Sequence, residues 1–111
     1  MYYKIKLTDK AKRDLRRINN YLEEYKLEKI YKKIKKDIYN LKFMPRIHKT
    51  VIPSKDKKGE YRRIVSGRYS IIYKIKNYEI IILRIFNQRE NYLNQRKFIL
   101  REKSQKYLIT K

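Results

Sequence analysis

Cysteine is absent from the 111 residues, so the chain has no disulfide framework, no thiolate nucleophile and no cysteine metal site. Histidine occurs once, at His48, and one imidazole cannot build a histidine metal site alone. Neither a metal nor an organic cofactor is expected. Glycine and proline occur twice each, which leaves little material for long flexible linkers. Long apolar runs are also missing. The longest uncharged one, Ile80 to Leu83, is far too short to cross a bilayer, and Lys4 and Lys6 interrupt the N-terminal residues where an export signal would lie. The expectation is a cytoplasmic protein with no membrane partner. Acidic residues are scarce: 11 Asp and Glu stand against 32 Lys and Arg, a net charge of +21.

A surface of that sign repels itself and attracts polyanions, whether nucleic acid or an acidic protein. Part of the charge reflects the lysine-rich coding bias of AT-rich genomes. Enough apolar material remains for one core. Hydrophobic residues make up 41%, with 12 tyrosines and 3 phenylalanines, a composition unlike that of disordered chains. The length fits one domain.

Periodicity then places the elements. Residues 1–7 alternate, with Tyr3, Ile5 and Leu7 on one face of a strand. Thr8 and Asp9 offer helix N-caps, because their side-chain oxygens can accept free backbone N–H groups. Ala11, Leu15, Ile18, Leu22 and Tyr25 recur in steps of four and three, one stripe of a helix. A second stripe runs through Leu27, Ile30, Tyr31, Ile34, Ile38 and Leu41. The short break between them predicts an αα-hairpin. Pro45 ends the second helix, and residues 46–59 read as an exposed basic loop. Three strands follow, over residues 61–66, 68–75 and 79–86, separated by tight turns at Ser66-Gly67 and Lys76-Asn77 that imply antiparallel pairing. The third is apolar on both faces and belongs inside the sheet. Residues 91–103 fit a terminal helix weakly, through Tyr92, Leu93, Ile99 and Leu100. The layout is β-α-α-β-β-β, an α+β fold with a helical hairpin on a largely antiparallel four-stranded sheet. Its other face is expected to be uncovered, concave and basic.

The stretch Tyr61-Arg62-Arg63-Ile64-Val65-Ser66-Gly67-Arg68-Tyr69-Ser70-Ile71-Ile72-Tyr73-Lys74-Ile75 resembles the central hairpin of RelE/ParE toxins. Ile80-Ile81-Ile82-Leu83-Arg84-Ile85-Phe86-Asn87-Gln88-Arg89-Glu90-Asn91 resembles their last strand and its exit, and Leu7-Thr8-Asp9-Lys10-Ala11 with the helical hairpin is similar too. The resemblance spans residues 1–95, the expected toxin domain, and leaves 96–111 as a C-terminal helix or basic tail. It implies the toxin of a type II toxin–antitoxin system, bound by a cognate antitoxin with an extended, often acidic segment and encoded by a small adjoining gene. RelE-like members cut messenger RNA on the ribosome, and ParE-like members inhibit DNA gyrase. The charge favours a metal-independent endoribonuclease acting on translation, with non-enzymatic gyrase inhibition as the alternative.

RNA cleavage through the 2′-oxygen needs a base, cations for the developing phosphorane charge and an acid for the leaving oxygen. The resemblance nominates Arg63, Arg89 and Tyr92 as the catalytic set. Arg62, Arg68, Arg84 and Lys74 are the candidate RNA-phosphate ligands, since arginine presents a planar fork to phosphate. Glu90 is a weaker candidate base, and His48 weaker still, because it precedes the hairpin. Ser70 departs from the RNA-cleaving pattern, which places an arginine directly after the tyrosine opening that strand. Lys10, Lys12, Arg13, Arg16 and Arg17 form a basic helical face suited to electrostatic docking.

Overall fold

A computed structural model of the chain describes residues 2–48, 50 and 60–88. In chain order the elements are β1 (Lys4–Leu7), α1 (Asp9–Glu24), α2 (Glu28–Asn40), a 3-10 turn (Pro45–Ile47), β2 (Tyr61–Ser66), β3 (Tyr69–Lys76) and β4 (Glu79–Asn87). The four strands make one sheet in the order β1-β4-β3-β2. β1 runs parallel to β4, and the other two pairings are antiparallel. The turns take backbone angles that few residues tolerate. Gly67 has φ +59 between β2 and β3, where a side chain would be strained, and Asn77 has φ 56 between β3 and β4. The expected terminal helix over residues 91–103 lies outside the described residues.

Local chemistry starts and stops the helices as expected. The Thr8 hydroxyl accepts the Ala11 N–H at 3.1 Å and caps α1. Lys26, at φ 56, turns the chain between α1 and α2. Ala11, Ile18 and Leu22 of α1 and Ile34 and Ile38 of α2 are buried against Ile71, Tyr73, Ile75, Ile80, Ile82 and Ile85 of the sheet. Two details differ from the periodic reading. Tyr25, Leu27 and Ile30 sit at the tip of the helical hairpin, beyond the sheet's reach, and are exposed. Asp14, a carboxylate, lies on the buried stripe of α1 between Ala11 and Ile18.

The reason lies at the edge of β4. β1 is only four residues long and pairs with β4 no further than Ile82. Beyond it, side chains and backbone from the start of α1 take over the hydrogen bonding. The Thr8 N–H donates to the Ile82 carbonyl at 3.0 Å and the Thr8 hydroxyl to the Leu83 carbonyl at 3.1 Å. The Ile85 N–H donates to Asp14 Oδ2 at 2.9 Å. Asp14 therefore satisfies a buried backbone donor that would otherwise be orphaned.

Candidate binding face of the sheet

Strand alternation sorts the candidate residues by face. Residues 69, 71, 73 and 75 of β3 point to the helices, as their place in the core shows. Residues 70, 72 and 74 point the other way. Register then lays out three cross-strand rows on that second face: Tyr61–Lys74–Ile81, Arg63–Ile72–Arg84 and Val65–Ser70–Phe86. Leu83 is an extra residue in β4, inserted where the register shifts between Ile72 and Tyr73. Such a bulge bends its strand and re-aims the neighbouring side chains, here Arg84.

The expectation of an uncovered face fails at its centre. Tyr61, Ile72, Leu83 and Phe86 form a second apolar cluster closed to solvent, with Ile81 packed against it. The physical cause is the composition of β3 and β4, which carry aliphatic side chains on both faces and gain from shielding both.

The structure brings together some of the nominated cations and separates others. Arg63 and Arg84 flank Ile72 on one face, two strand spacings or about 10 Å apart along the row. Arg84 is engaged internally. Its Nε donates to Asp14 Oδ2 at 2.7 Å, and a terminal nitrogen donates to Oδ1 at 3.3 Å. The side chains are 24% and 3% exposed. The guanidinium also lies 4.9 Å from the centre of the Phe86 ring, within cation–π range. Arg17 meets the same carboxylate at 3.2 Å from the helix surface. Lys74 is buried, with its ammonium 6.0 Å from the Tyr61 ring centre. Arg63 is half-buried and has no hydrogen-bond or ion-pair partner among the described residues, so its charge stays available.

Arg62 faces the opposite way, paired across from Tyr73 on the helix side. There it donates to the His48 carbonyl, which pins the segment after the 3-10 turn to β2. Arg68 is exposed in the β2–β3 turn, where its carbonyl accepts the Gln88 N–H at 2.6 Å. Arg89, Tyr92 and Glu90 lie outside the described residues.

Three more groups bear on catalysis. The His48 ring packs edge-on to Tyr73 on the helix side, 6.4 Å between centres. Burial lowers its pKa below the usual 6.5, the Arg62 charge adds to the effect, and Asp37 opposes it. The Tyr73 hydroxyl donates to the Pro45 carbonyl at 2.6 Å, and burial pushes its pKa far up. Glu79 is bound to Lys6 at 2.6 Å, and that hydrogen bond is the main reason its carboxyl sits below the ordinary range. None of these is poised to move a proton on the Arg63 face. Ser70 is buried on that face, and its hydroxyl has no hydrogen-bond partner among the described residues.

Sequence reasoning passed over Asp14, which organises this corner. Its signal was visible: an acidic residue three after Ala11 and four before Ile18 falls on the apolar stripe.

Two helices lie across one face of a four-stranded sheet with a parallel β1–β4 pair, and cationic residues lie on the β2–β3–β4 face, an α+β architecture of the RelE/ParE-like kind. The sequence profile of the ParE toxin family of type II toxin–antitoxin systems (parDE) matches residues 5–92, and the chain belongs to that family. Among solved structures it resembles a chain of the chromosomal ParDE toxin–antitoxin system from P. aeruginosa. That match has 24% identity and a TM-score of 0.61 over 77% of this chain and 95% of the other. It also resembles a chain of the RelBE2 toxin–antitoxin complex from Mycobacterium tuberculosis, at 22% identity and a TM-score of 0.57 over 78% and 99%. At such identities the likeness establishes the shared fold. No curated protein sequence matches the chain.

Proposed function

We propose that this toxin arrests growth by binding, in the ParE manner, with DNA gyrase as its target and without cleaving RNA itself. Ser70 carries the reading. It stands buried at the position where the RNA-cleaving pattern has an arginine, and a hydroxyl cannot stabilise phosphorane charge as a guanidinium does. The neighbouring groups support it. Arg84 is held by Asp14, Glu79 by Lys6 and the Tyr73 hydroxyl by Pro45. Arg63 remains as a recognition cation at the rim of the shielded apolar cluster. The parDE family match agrees with this reading.

Ribosome-dependent cleavage is the second reading. The net charge of +21 and an Arg63 without an ion-pair partner among the described residues favour it, and it requires Arg89 and Tyr92 to complete the site. A paired assay separates the two. Purified protein is added to gyrase supercoiling reactions and to cell-free translation read by primer extension. The proposal expects loss of supercoiling with intact message. Ribosome-dependent cuts with normal supercoiling would overturn it.

A further inference from the structure

The helix layer turns one surface away from the sheet. Helical period sets Arg13 and Arg16 of α1 and Lys29, Lys32 and Lys36 of α2 opposite the buried stripes, and all five are exposed. None of the five has a hydrogen bond or an ion pair among the described residues. The helices' own pairs, Arg17 with Asp14 and Lys33 with Asp37, lie on the flanks. The exposed acids stand at the ends of the layer, Asp9 at one and Glu23, Glu24 and Glu28 at the other. This placement works against the helices. Arg13 repels Arg16, and Lys32 repels both Lys29 and Lys36, at three- and four-residue spacings. Lys10 and Lys29 occupy first turns, where the helix dipole disfavours a cation, and neither last turn holds one. Cations that served the helices would be distributed the other way round. A ligand outside the chain accounts for the arrangement.

Two features choose that ligand. Among the described residues, no large apolar side chain is exposed amid the five cations. Those of the helices lie toward the ends, with Tyr21, Tyr25, Leu27 and Ile30 at the hairpin tip and Tyr39 at the other end under the Lys42 ammonium. A protein partner would need an apolar anchor there, and a single nucleic-acid strand an aromatic surface for its bases. The cations also form two rows, on helices that pack side by side with axes about 8–10 Å apart. Two such rows suit the two phosphate strands that border a groove of a duplex. We propose that the outer face of the α1–α2 layer binds the phosphate backbone of duplex DNA without reading its sequence. The choice of DNA rests on the gyrase reading, because gyrase holds the duplex that the toxin would meet at its target.

The probe is a DNA duplex of mixed sequence, about 20 base pairs long, titrated with the full chain across a salt series and read by fluorescence anisotropy. Five phosphate contacts predict that log K falls against log salt with a slope of about −4.5. Arg16→Gln with Lys32→Gln should flatten that slope by about 2 and weaken binding about tenfold or more at about 0.1 M salt. Lys4→Gln with Lys76→Gln removes the same charge from exposed positions on the sheet and should leave the slope within about 0.5 of the wild type. The first pair should leave the melting temperature unchanged or raised, since it relieves repulsion within the helices. In gyrase supercoiling reactions it should raise the inhibiting concentration about tenfold. Equal flattening by both pairs overturns the face, as would a clear fall in melting temperature, which would assign the cations to the fold. Inhibited gyrase without duplex binding overturns the face and leaves the gyrase reading intact. Duplex binding as expected, with supercoiling untouched by the wild type, supports the face and overturns the gyrase reading. Tighter binding of a single strand or of an RNA duplex of the same length overturns the choice of DNA.

Discussion

Replacing Asp14 with alanine should destabilise the fold more than an ordinary surface change on this basic helix. Three groups meet its carboxylate: the Ile85 N–H at 2.9 Å, Arg84 through two nitrogens at 2.7 and 3.3 Å, and Arg17 at 3.2 Å. The Arg17 pair is exposed and contributes at most about 0.5 kcal/mol. Orphaning the buried Ile85 donor costs about 1–3 kcal/mol. Removing one partner of a fully buried ion pair costs about 3–5 kcal/mol. Arg84 is 24% exposed, so water recovers part of that and the pair falls below this range. The net expectation is about 3 kcal/mol, or a fall of about 2 M in urea midpoint at a slope near 1.5 kcal/mol/M. Asp14→Asn keeps one acceptor and should lose about half as much. A double-mutant cycle with Arg84→Met should give a coupling of about 1.5 kcal/mol, the double variant recovering part of the single loss. An Asp14→Ala cost under about 1 kcal/mol, together with additive effects in the cycle, would refute the role assigned to this carboxylate.

Further outcomes follow from the same geometry. Arg63→Ala should abolish growth arrest while changing stability by less than about 0.5 kcal/mol, measured by induced toxicity and urea unfolding of the same variant. Ser70→Ala should be neutral or stabilising by up to about 1 kcal/mol, because it removes a buried hydroxyl without a partner, whereas Ser70→Arg should lower the melting temperature by forcing a charge into a closed site. Tyr73→Phe should cost about 1–2 kcal/mol by leaving the Pro45 carbonyl without its donor. His48 titrates lower in the folded chain than its unfolded value of 6.5. The unfolded state therefore takes up its proton first, and stability falls as pH drops below 6.5 until the folded-state pKa is passed. Urea midpoints across that window should show the slope in the wild type and a smaller one in His48→Gln.

The fold was legible because its signals are periodic and local. The 3.6-residue stripes, the Thr8 cap, the Gly67 and Asn77 turns and the doubly apolar β4 each state one element, and together they leave few topologies. The site was only partly legible, because charge alone does not say where a charge is used. Arg62 and Arg63 are adjacent in sequence and opposite in space, a consequence of the two-residue strand repeat that the register makes visible. The internal use of Arg84 depended on a helix residue 70 positions earlier, Asp14, whose partner no local pattern could supply. Burial of Tyr61, Ile72, Leu83 and Phe86 followed from apolar content on both faces of the inner strands, a feature the sequence displayed in β4. That feature already argued against an open hollow.

The central claim is that growth stops through gyrase rather than through message. Its most direct test is the topology of a plasmid in a bacterial host during induction of the chain, since an inhibited gyrase cannot restore negative supercoils. The account predicts that the plasmid relaxes as growth halts. Growth arrest with the plasmid fully supercoiled would contradict it.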